Sequence, residues 1–260
     1  MRLDNQIAIV TGGGQGIGQQ IALRLGQEGA IVVIADINEK GSRETAEMIA
    51  KSGGRKAKVI PTDITYENQV ENLIKGTLEI SNRIDILVNN AGVAGPVGNI
   101  EDLTVEQWEG TMAVNVRGMF LCCKHVIPAM KKQETGSIVN ISSITGKRHL
   151  VQRTPYAASK MAVIGLTRTL AMEVGNRKIR VNAICPGGVM GPRLNFVIDS
   201  IMKGTGKPRE QVTTEITEAS ALKSFVDAKY IAAVVAFLCS EDAAMITGQD
   251  INVDAGTVMY

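Results

Sequence analysis

Aromatic residues and excess charge are both scarce in this 260-residue chain. Phe, Trp and Tyr make up 3% of it, and the formal net charge is +2. A chain so close to neutral lacks the basic surface that nucleic acid or an anionic membrane attracts. So few aromatic residues also argue against a platform for stacked bases. We therefore expect no nucleic-acid partner and no membrane partner.

Cysteine and histidine are also few, and their spacing predicts neither disulfides nor a metal site. None of the four cysteines forms a C-x-x-C pair, and neighbours such as Cys122 and Cys123 rarely bridge without strain. His125 and His149 lie far apart, with no Cys or carboxylate at ligand spacing. We expect reduced, mostly buried thiols and no metal.

Long hydrophobic runs are missing as well. The apolar stretch YIAAVVAFLC (230–239) is far shorter than the roughly 20 residues that span a bilayer. The first residues, MRLDNQIAIVTG, show no charged-then-apolar signal pattern. Both features favour a cytoplasmic protein.

Short runs rich in Ile and Val alternate with helical patterns along the whole chain. IAIVT (7–11) and IVVIAD (31–36) are typical of strands buried on both faces, and the segment between them has helical apolar spacing. Such alternation favours right-handed crossovers and a parallel sheet. The sequence therefore predicts an α/β fold, with one doubly wound domain over residues 1–260.

Helix-start signals appear at two places, and one segment has little pattern. Thr104 and Gln107 form a capping box that opens a long helix towards Lys132. Thr154 is a suitable N-cap residue before Pro155, which predicts a second helix. The segment at about 190–224 is polar and interrupted by glycine, so it predicts a looser region.

A glycine-rich loop, TGGGQGIG (11–18), joins the first strand to the first helix. Glycines there allow a tight turn, and they let backbone N–H groups approach a pyrophosphate at the helix N-terminus. A glycine-rich turn alone is weak evidence, but the strand–loop–helix context favours dinucleotide binding.

Polar residues also follow the next three predicted strands. Asp36 is placed to accept hydrogen bonds from an adenosine ribose, and its charge would repel a 2′-phosphate. NAD is therefore favoured over NADP, although a helix-capping role is the structural alternative for Asp36. Asp63 and NNAG (89–92) also lie at strand ends, where ligands bind in open α/β sheets. Asn89 and Asn90 could instead only satisfy loop backbone groups.

Tyr156 and Lys160 stand one helical turn apart at the start of the second predicted helix. The helix dipole and the ammonium group on the same face would both stabilise a phenolate. A tyrosine beside a solvated lysine is the simpler alternative for these two residues alone.

Taken in order, the motifs resemble those of the short-chain dehydrogenase/reductase family. The resemblance covers essentially the whole chain and rests on TGGGQGIG, Asp63, NNAG, Asn115, Ser143 within NISS, Tyr156-x-x-x-Lys160 and PGG (186–188). It implies a Rossmann-type sheet of about seven strands with helices on both faces, and a substrate lid at about 190–224. It also implies a homotetramer, or a homodimer, with the long helices from residues 104 and 154 at one interface.

The resemblance further implies roles for individual residues. Tyr156 would be the general acid/base, Lys160 would also hold the nicotinamide ribose, Ser143 would orient the substrate, and Asn115 would anchor a water. The implied cofactor contacts are Gly12, Gln15, Gly16, Ile17, Gly18, Asp36, Asp63, Ile64, Asn89, Ala91, Gly92, Tyr156, Lys160, Pro186, Gly187 and Val189. Gly191 departs from the family pattern, which commonly has threonine there.

The expected activity is NAD-dependent interconversion of a secondary alcohol and its carbonyl compound. Arg148, Arg153 and Arg193 suggest an anionic small-molecule substrate, such as a hydroxy acid, a sulfonate or an acidic sugar, although a solvated rim explains them equally well. An NADPH-dependent reductase like 3-oxoacyl-acyl-carrier-protein reductase is the alternative that Asp36 disfavours. A non-catalytic dinucleotide-binding protein is the other alternative.

Overall fold

Seven parallel strands form one sheet in the computed structural model, which describes residues 2–260 apart from the side chains of residues 192 and 193. The strands are β1 (Ile7–Thr11), β2 (Ile31–Asp36), β3 (Lys58–Pro61), β4 (Ile86–Asn89), β5 (Gly136–Ile141), β6 (Ile179–Pro186) and β7 (Asp250–Val253). Their order across the sheet is β3-β2-β1-β4-β5-β6-β7. The predicted doubly wound parallel sheet is confirmed.

Helices cover both faces of the sheet. In the described part of the chain they are α1 (Gly16–Gln27), α2 (Glu39–Lys51), α3 (Glu67–Ser81), α4 (Val105–Met112), α5 (Met119–Gln133), α6 (Thr154–Val174), α7 (Pro192–Thr205), α8 (Arg209–Glu218) and α9 (Ala228–Cys239). Alternate residues of β1 face opposite layers: Ala8 and Val10 pack with α1 and α9, whereas Ile7 and Ile9 pack with α3, α5 and α6. Burial on both faces explains the unbroken apolar strands.

The strand order reverses between β1 and β4, which are hydrogen-bonded neighbours with Val10 opposite Val88. The chain leaves the carboxyl ends of these two strands in opposite directions. A crevice at such a reversal is the usual ligand site of an open α/β sheet. The fold therefore places the glycine-rich loop and NNAG side by side.

The predicted long helix from residue 104 contains an interruption. Its capping box is confirmed, since the Thr104 and Gln107 side chains each accept a hydrogen bond from the other residue's backbone N–H. A π-helical segment, Ala113–Gly118, then separates α4 from α5. Single π-helical turns widen a helix locally and are frequent at functional sites. This one carries Asn115.

Helix α6 begins one residue earlier than the sequence predicted. Arg153 is the N-cap residue, and Thr154 and Pro155 are the first two helical residues. The prediction of Thr154 as N-cap was therefore wrong. Proline fits either of the first helical positions, because its missing N–H would have no partner in the helix there. Tyr156 remains in the first turn.

The region at about 190–224 is more regular than predicted, because it contains α7 and α8. These two helices pack against each other. Ion pairs of Lys207 with Glu215 and of Arg209 with Asp199, both at 2.7 Å, connect the segment internally. The first pair joins the residues before α8 to α8, and the second joins α8 to α7.

All four cysteines are buried free thiols, as the sequence predicted. Burial raises the pKa of Cys123 and that of Cys239 to about 12, so neither is a thiolate near neutral pH. Among the described residues, no helix is both long and apolar enough to cross a bilayer.

Candidate active site

The glycine-rich loop packs so tightly that side chains would not fit. A Cβ atom on Gly18 would lie 2.0 Å from the carbonyl oxygen of Gly12 and 2.4 Å from Nδ2 of Asn90. Gly12 itself has a φ of +65°, in the left-handed region. These glycines therefore let the loop pack directly against the start of α1 and the NNAG segment.

The first turn of α1 has no side-chain cap within the described part of the chain. Gln15 is the N-cap residue, and among the described residues its side chain makes no capping hydrogen bond; the turn also has no acidic residue. The first N–H groups of a helix have no partners within the helix and carry the positive end of its dipole. Residues Gly16, Ile17 and Gly18 thus begin a helix suited to a phosphate group.

A set of hydrogen bonds that the sequence did not predict joins the end of β1 to the residues after β4. The Thr11 hydroxyl accepts hydrogen bonds from the backbone N–H groups of Asn90 and Ala91, at 3.0 and 3.1 Å. Asn90 Nδ2 donates to the carbonyl oxygens of Thr11 and Gly12, both at 3.0 Å. Asn90 therefore satisfies loop backbone groups, as the structural alternative predicted, and in doing so it fixes the glycine-rich loop.

Asp36 lies against the glycine-rich loop and is half-buried. Its carboxylate accepts hydrogen bonds from the backbone N–H of Gly14 at 2.8 Å and of Asn38 at 2.9 Å. The N-cap of α2 is Asn38, whose side chain accepts from Gly41 N–H. The helix-capping alternative for Asp36 is therefore wrong, and its negative charge lies beside the loop.

The residues after β3 and at the end of β4 make mostly internal contacts. One carboxylate oxygen of Asp63 accepts from both the backbone N–H and the hydroxyl of Thr65, at 2.9 and 2.7 Å. Ile64 is buried against Gly118. The buried Asn89 side chain donates to Asn140 at 2.9 Å and points away from solvent. The side chains of Ile64 and Asn89 are buried, whereas Asp63 is partly exposed.

Asn115 forms hydrogen bonds with the loop that follows β4. Its side-chain amide accepts from Val93 N–H at 2.8 Å and donates to the Val93 carbonyl at 3.0 Å. It also donates to the Ser159 hydroxyl at 3.0 Å, and that hydroxyl donates to the Tyr156 carbonyl at 2.8 Å. One buried amide thus joins the π-helical segment, the loop and α6.

Lys160 is buried and binds the end of β5. Its ammonium donates to the carbonyl oxygen of Ile141 at 2.8 Å, and its side chain is near Gly92. In return, the Ser142 hydroxyl donates to the Lys160 carbonyl at 2.8 Å. A buried ammonium needs such partners, because its desolvation is costly. These bonds fix Lys160 at the carboxyl edge of the sheet.

Tyr156 lies close to two cations. Lys160 Nζ is 5.8 Å from the centroid of its ring and the Arg153 guanidinium carbon is 5.4 Å from it. The ring is 8% exposed, which leaves a small part of it accessible. The predicted pair of Tyr156 and Lys160 is therefore brought together.

Ser143 follows β5 by two residues and lies next to the same helix. Its hydroxyl accepts from Thr145 N–H at 3.1 Å and caps a short 3₁₀ turn, Ile144–Gly146. That turn packs closely on α6, since a Cβ atom on Gly146 would be 2.8 Å from the Lys160 carbonyl. The backbone role considered for this serine is present, and it still leaves the hydroxyl proton available to a ligand.

The residues after β6 form another edge of the site. Gly187 donates to Val253 at 3.0 Å directly after Pro186, and Val189 pairs with Val226 in an isolated bridge. Gly191 has a φ of +143°, a conformation strained for any residue with a side chain. This conformation explains glycine in place of the threonine common in the family.

The basic residues near the site have different surroundings. Arg148 is exposed, whereas Arg153 is 6% exposed and donates to the Ala94 carbonyl. Lys147 is bound to Asp250 at 2.7 Å, so its charge is neutralised. The side chain of Arg193 lies outside the described residues.

His125 has carboxylate neighbours that sequence spacing did not reveal. Glu67 and Glu71, one turn apart on α3, lie close to its Nε2 atom, at 2.9 and 3.9 Å. Such a group could hold a metal ion, but the Lys124 ammonium also binds Glu67 at 2.5 Å. Sequence spacing did not predict this group, because His125 is far from Glu67 and Glu71 along the chain and only the fold brings them together.

The glycine-rich loop, the acid at the end of β2 and the buried Tyr–Lys pair are features of a dinucleotide-binding oxidoreductase fold. A profile of the family described as Enoyl-(Acyl carrier protein) reductase matches residues 12–258. An "Uncharacterized oxidoreductase" of Thermotoga maritima is 38% identical over 257 residues, covering 99% of each chain. The chain belongs to the short-chain dehydrogenase/reductase family, and it is an oxidoreductase of that family.

Solved structures agree with this assignment. The protein resembles an actinorhodin polyketide ketoreductase crystallised with NADPH, with a TM-score of 0.94 and 35% identity over 98% of each chain. It also resembles an NAD⁺-bound xylitol dehydrogenase, with a TM-score of 0.94 and 28% identity over 98% of this chain and all of the other (100%). The family binds nicotinamide dinucleotides, and these two neighbours carry different ones.

Replacing Gly18 by alanine should weaken NADH binding. The added methyl group would displace the Gly12 carbonyl and the Asn90 side chain, and overpacking of this kind costs about 1–3 kcal/mol, or roughly 10- to 100-fold in affinity. Fluorescence titration with NADH measures the change. The control is Gly175→Ala, because Gly175 is the C-cap residue of α6 and a Cβ atom there would meet no non-neighbouring atom of the described residues within 4 Å. Equal NADH affinity in both variants would contradict the assignment of the loop.

Proposed function

We propose that the protein is an NAD-dependent oxidoreductase that interconverts a secondary alcohol and its ketone, with Tyr156 as general acid/base. The observation that carries this proposal is the Tyr156 ring beside the buried ammonium of Lys160, at 5.8 Å, near Gly92 of the NNAG segment that contacts the glycine-rich loop. Ionisable groups buried together at a ligand crevice are typical of proton-transfer sites.

The chain's own features suit a dinucleotide. Gly12 and Gly18 let the loop pack directly against the start of α1 and the NNAG segment, and the N-cap residue of α1 makes no side-chain cap in the described part of the chain. Phosphates would bind there, the adenosine ribose beside Asp36, and the nicotinamide ribose near Lys160. When bound, the nicotinamide supplies the hydride-transfer chemistry.

The protein's part in the reaction is to hold and move a proton. Tyr156 takes the hydroxyl proton of an alcohol during oxidation, and returns it to the oxygen during reduction. Lys160, fixed by Ile141, holds a positive charge beside the phenol ring. Ser143 donates to the substrate oxygen and orients it, while Asn115 keeps the loop and α6 in register and would anchor a water near Lys160.

Asp36 supports a preference for NAD. Its two oxygens already accept backbone hydrogen bonds, which fix the carboxylate beside the position of the ribose. A phosphate on that ribose would meet a negative charge held in place, and like charges at short range oppose binding.

The site residues support a class of substrate, a secondary alcohol or its ketone, and not one particular compound. Segment 190–224, with α7 and α8, would close over the alcohol as a lid and exclude water. An anionic substrate remains part of the proposal, with Arg148 as its exposed cation at the site and Arg153 close to Tyr156. The four buried thiols support a reducing compartment, the cytoplasm.

We also propose that the chain forms a homotetramer or a homodimer through α4, α5 and α6. These helices expose several large apolar side chains, which are Val105, Trp108, Phe120, Met161 and Met172. Exposed apolar groups on adjacent elements favour a self-complementary interface.

The cofactor preference can be tested by fluorescence titration with NADH and NADPH. Wild type should bind NADH roughly 10-fold more tightly or better, and Asp36→Asn should narrow the difference because it removes the charge. Glu39→Gln removes a neighbouring exposed charge in α2 and should leave the ratio unchanged. Equal or tighter NADPH binding by wild type would refute the preference.

The acid/base role predicts that Tyr156→Phe loses activity and retains the cofactor. NADH production should be screened over secondary alcohols, sugars and hydroxy acids, with matched neutral and anionic pairs. On the best substrate, kcat should fall roughly 10²- to 10⁴-fold, as expected for loss of a general base. NADH affinity should stay nearly constant, and Tyr230→Phe, at an exposed position on α9, is the control. A fully active Tyr156→Phe variant would refute the acid/base role of Tyr156.

The proposed interface predicts that a charge placed on it dissociates the oligomer. Phe120→Glu should elute as a smaller species than wild type, measured by size-exclusion chromatography with light scattering. Met48→Glu introduces the same charge on α2, on the opposite face of the sheet, and should leave the mass unchanged. A monomeric wild type would disprove the interface.

A further inference from the structure

Arg153 lies unusually close to the proposed acid/base for a residue outside the Tyr-x-x-x-Lys motif. Its guanidinium carbon is 5.4 Å from the centroid of the Tyr156 ring, nearer than the ammonium of Lys160 at 5.8 Å. Its side chain is almost entirely buried, since the residue is 6% exposed. A guanidinium keeps its charge at any ordinary pH, so a permanent cation lies beside the ring.

The backbone around Arg153 holds the side chain in this position. Its N–H donates to the Leu150 carbonyl at 3.2 Å, and its carbonyl accepts from Ala157 N–H at 2.9 Å, the first hydrogen bond of α6. The guanidinium also donates to the Ala94 carbonyl in the loop after β4. Arg153 thus joins the start of α6 to that loop.

The neighbouring residue in the loop is held by a different element. Val93 is bound through both of its backbone groups by Asn115, and Ala94 is bound by Arg153. Two consecutive loop residues are therefore fixed to the π-helical segment and to α6. Any movement of Arg153 would loosen the loop and remove a charge from Tyr156 together.

Other charges on the surrounding elements are directed elsewhere. Lys147, at the end of the 3₁₀ turn, is neutralised by Asp250. Arg117 of the π-helical segment donates to the Thr65 carbonyl, and Glu106 and Glu109 of α4 are exposed. Lys160 and Arg153 are thus the cations that face the ring in the described part of the site.

We infer that Arg153 is a positioning residue for the proposed reaction: it fixes Tyr156 against the loop after β4, and it places a permanent positive charge beside the ring. The inference rests on the proposed function, because it assigns Arg153 a role only if Tyr156 transfers the proton. A cation close to an aromatic face is attracted to it, and the attraction grows when water is excluded. Removal of that charge should therefore slow turnover more than it weakens cofactor binding.

The test compares Arg153→Met, of similar length without charge, with Arg153→Lys, which keeps a charge. At saturating NAD⁺ and alcohol, Arg153→Met should lower kcat about 3- to 30-fold, while NADH affinity from fluorescence stays within about twofold. Arg153→Lys should recover most of kcat. If Arg153→Met does not fold, Arg153→Gln, which keeps a donor towards Ala94, replaces it with the same expected loss.

A second readout needs no cofactor. The near-ultraviolet difference spectrum of wild type minus Tyr156→Phe isolates the absorption of Tyr156. A nearby charge perturbs that absorption. The Tyr156 band should therefore shift in Arg153→Met, for which the reference is the double variant Arg153→Met with Tyr156→Phe. The band should return towards its wild-type position in Arg153→Lys. An unshifted band in Arg153→Met would contradict the inference.

Three kinetic outcomes would overturn it. They are wild-type kcat in Arg153→Met, an equal loss in Arg153→Lys and Arg153→Met, and a rise in KM confined to anionic alcohols, which would make Arg153 a substrate anchor. A fully active Tyr156→Phe would instead refute the proposed function. An inactive Tyr156→Phe with a fully active Arg153→Met would refute this inference alone.

Discussion

The contact between the ends of β1 and β4 is the constraint on which the site depends. The strand order reverses there, and Thr11 and Asn90 join the two chain segments through four hydrogen bonds. Gly18 then packs against the Gly12 carbonyl with no room for a side chain. Because this contact fixes the glycine-rich loop, it also fixes the start of α1, and with it the place where a phosphate would bind.

Burial of charge is the second organising feature. Lys160 keeps its ammonium inside the protein by donating to the Ile141 carbonyl, and Arg153 does the same through the Ala94 carbonyl. A buried cation is unfavourable without such partners, so each one ties α6 to a neighbouring segment. The Tyr156 ring lies close to both of these fixed cations, at the start of α6.

One of the basic residues near the site is held in an ion-pair network. Lys147 is part of an ion pair with Asp250, and Arg168 binds the same carboxylate at 2.7 Å. Burial disfavours the charged form of Asp250, but the hydrogen bonds from Lys147 and Arg168 outweigh it, and the pKa of this carboxyl lies below its ordinary value. The network therefore holds the 3₁₀ turn after Ser143 to β7 rather than offering Lys147 to a substrate.

The sequence by itself determined the parallel α/β architecture, the glycine-rich loop, the acid at the end of β2 and the spacing of Tyr156 and Lys160. All of these depend on local periodicity or on conformations that only glycine adopts easily, so they can be recognised without knowing which segments meet. Only the tertiary structure placed Asn115 on Val93, Arg153 on Ala94, and His125 beside Glu67. These contacts join residues far apart in the chain, and neither propensity nor spacing predicts such a pairing. The π-helical segment and the true start of α6 belong to the same group, because the packing around each helix decides them.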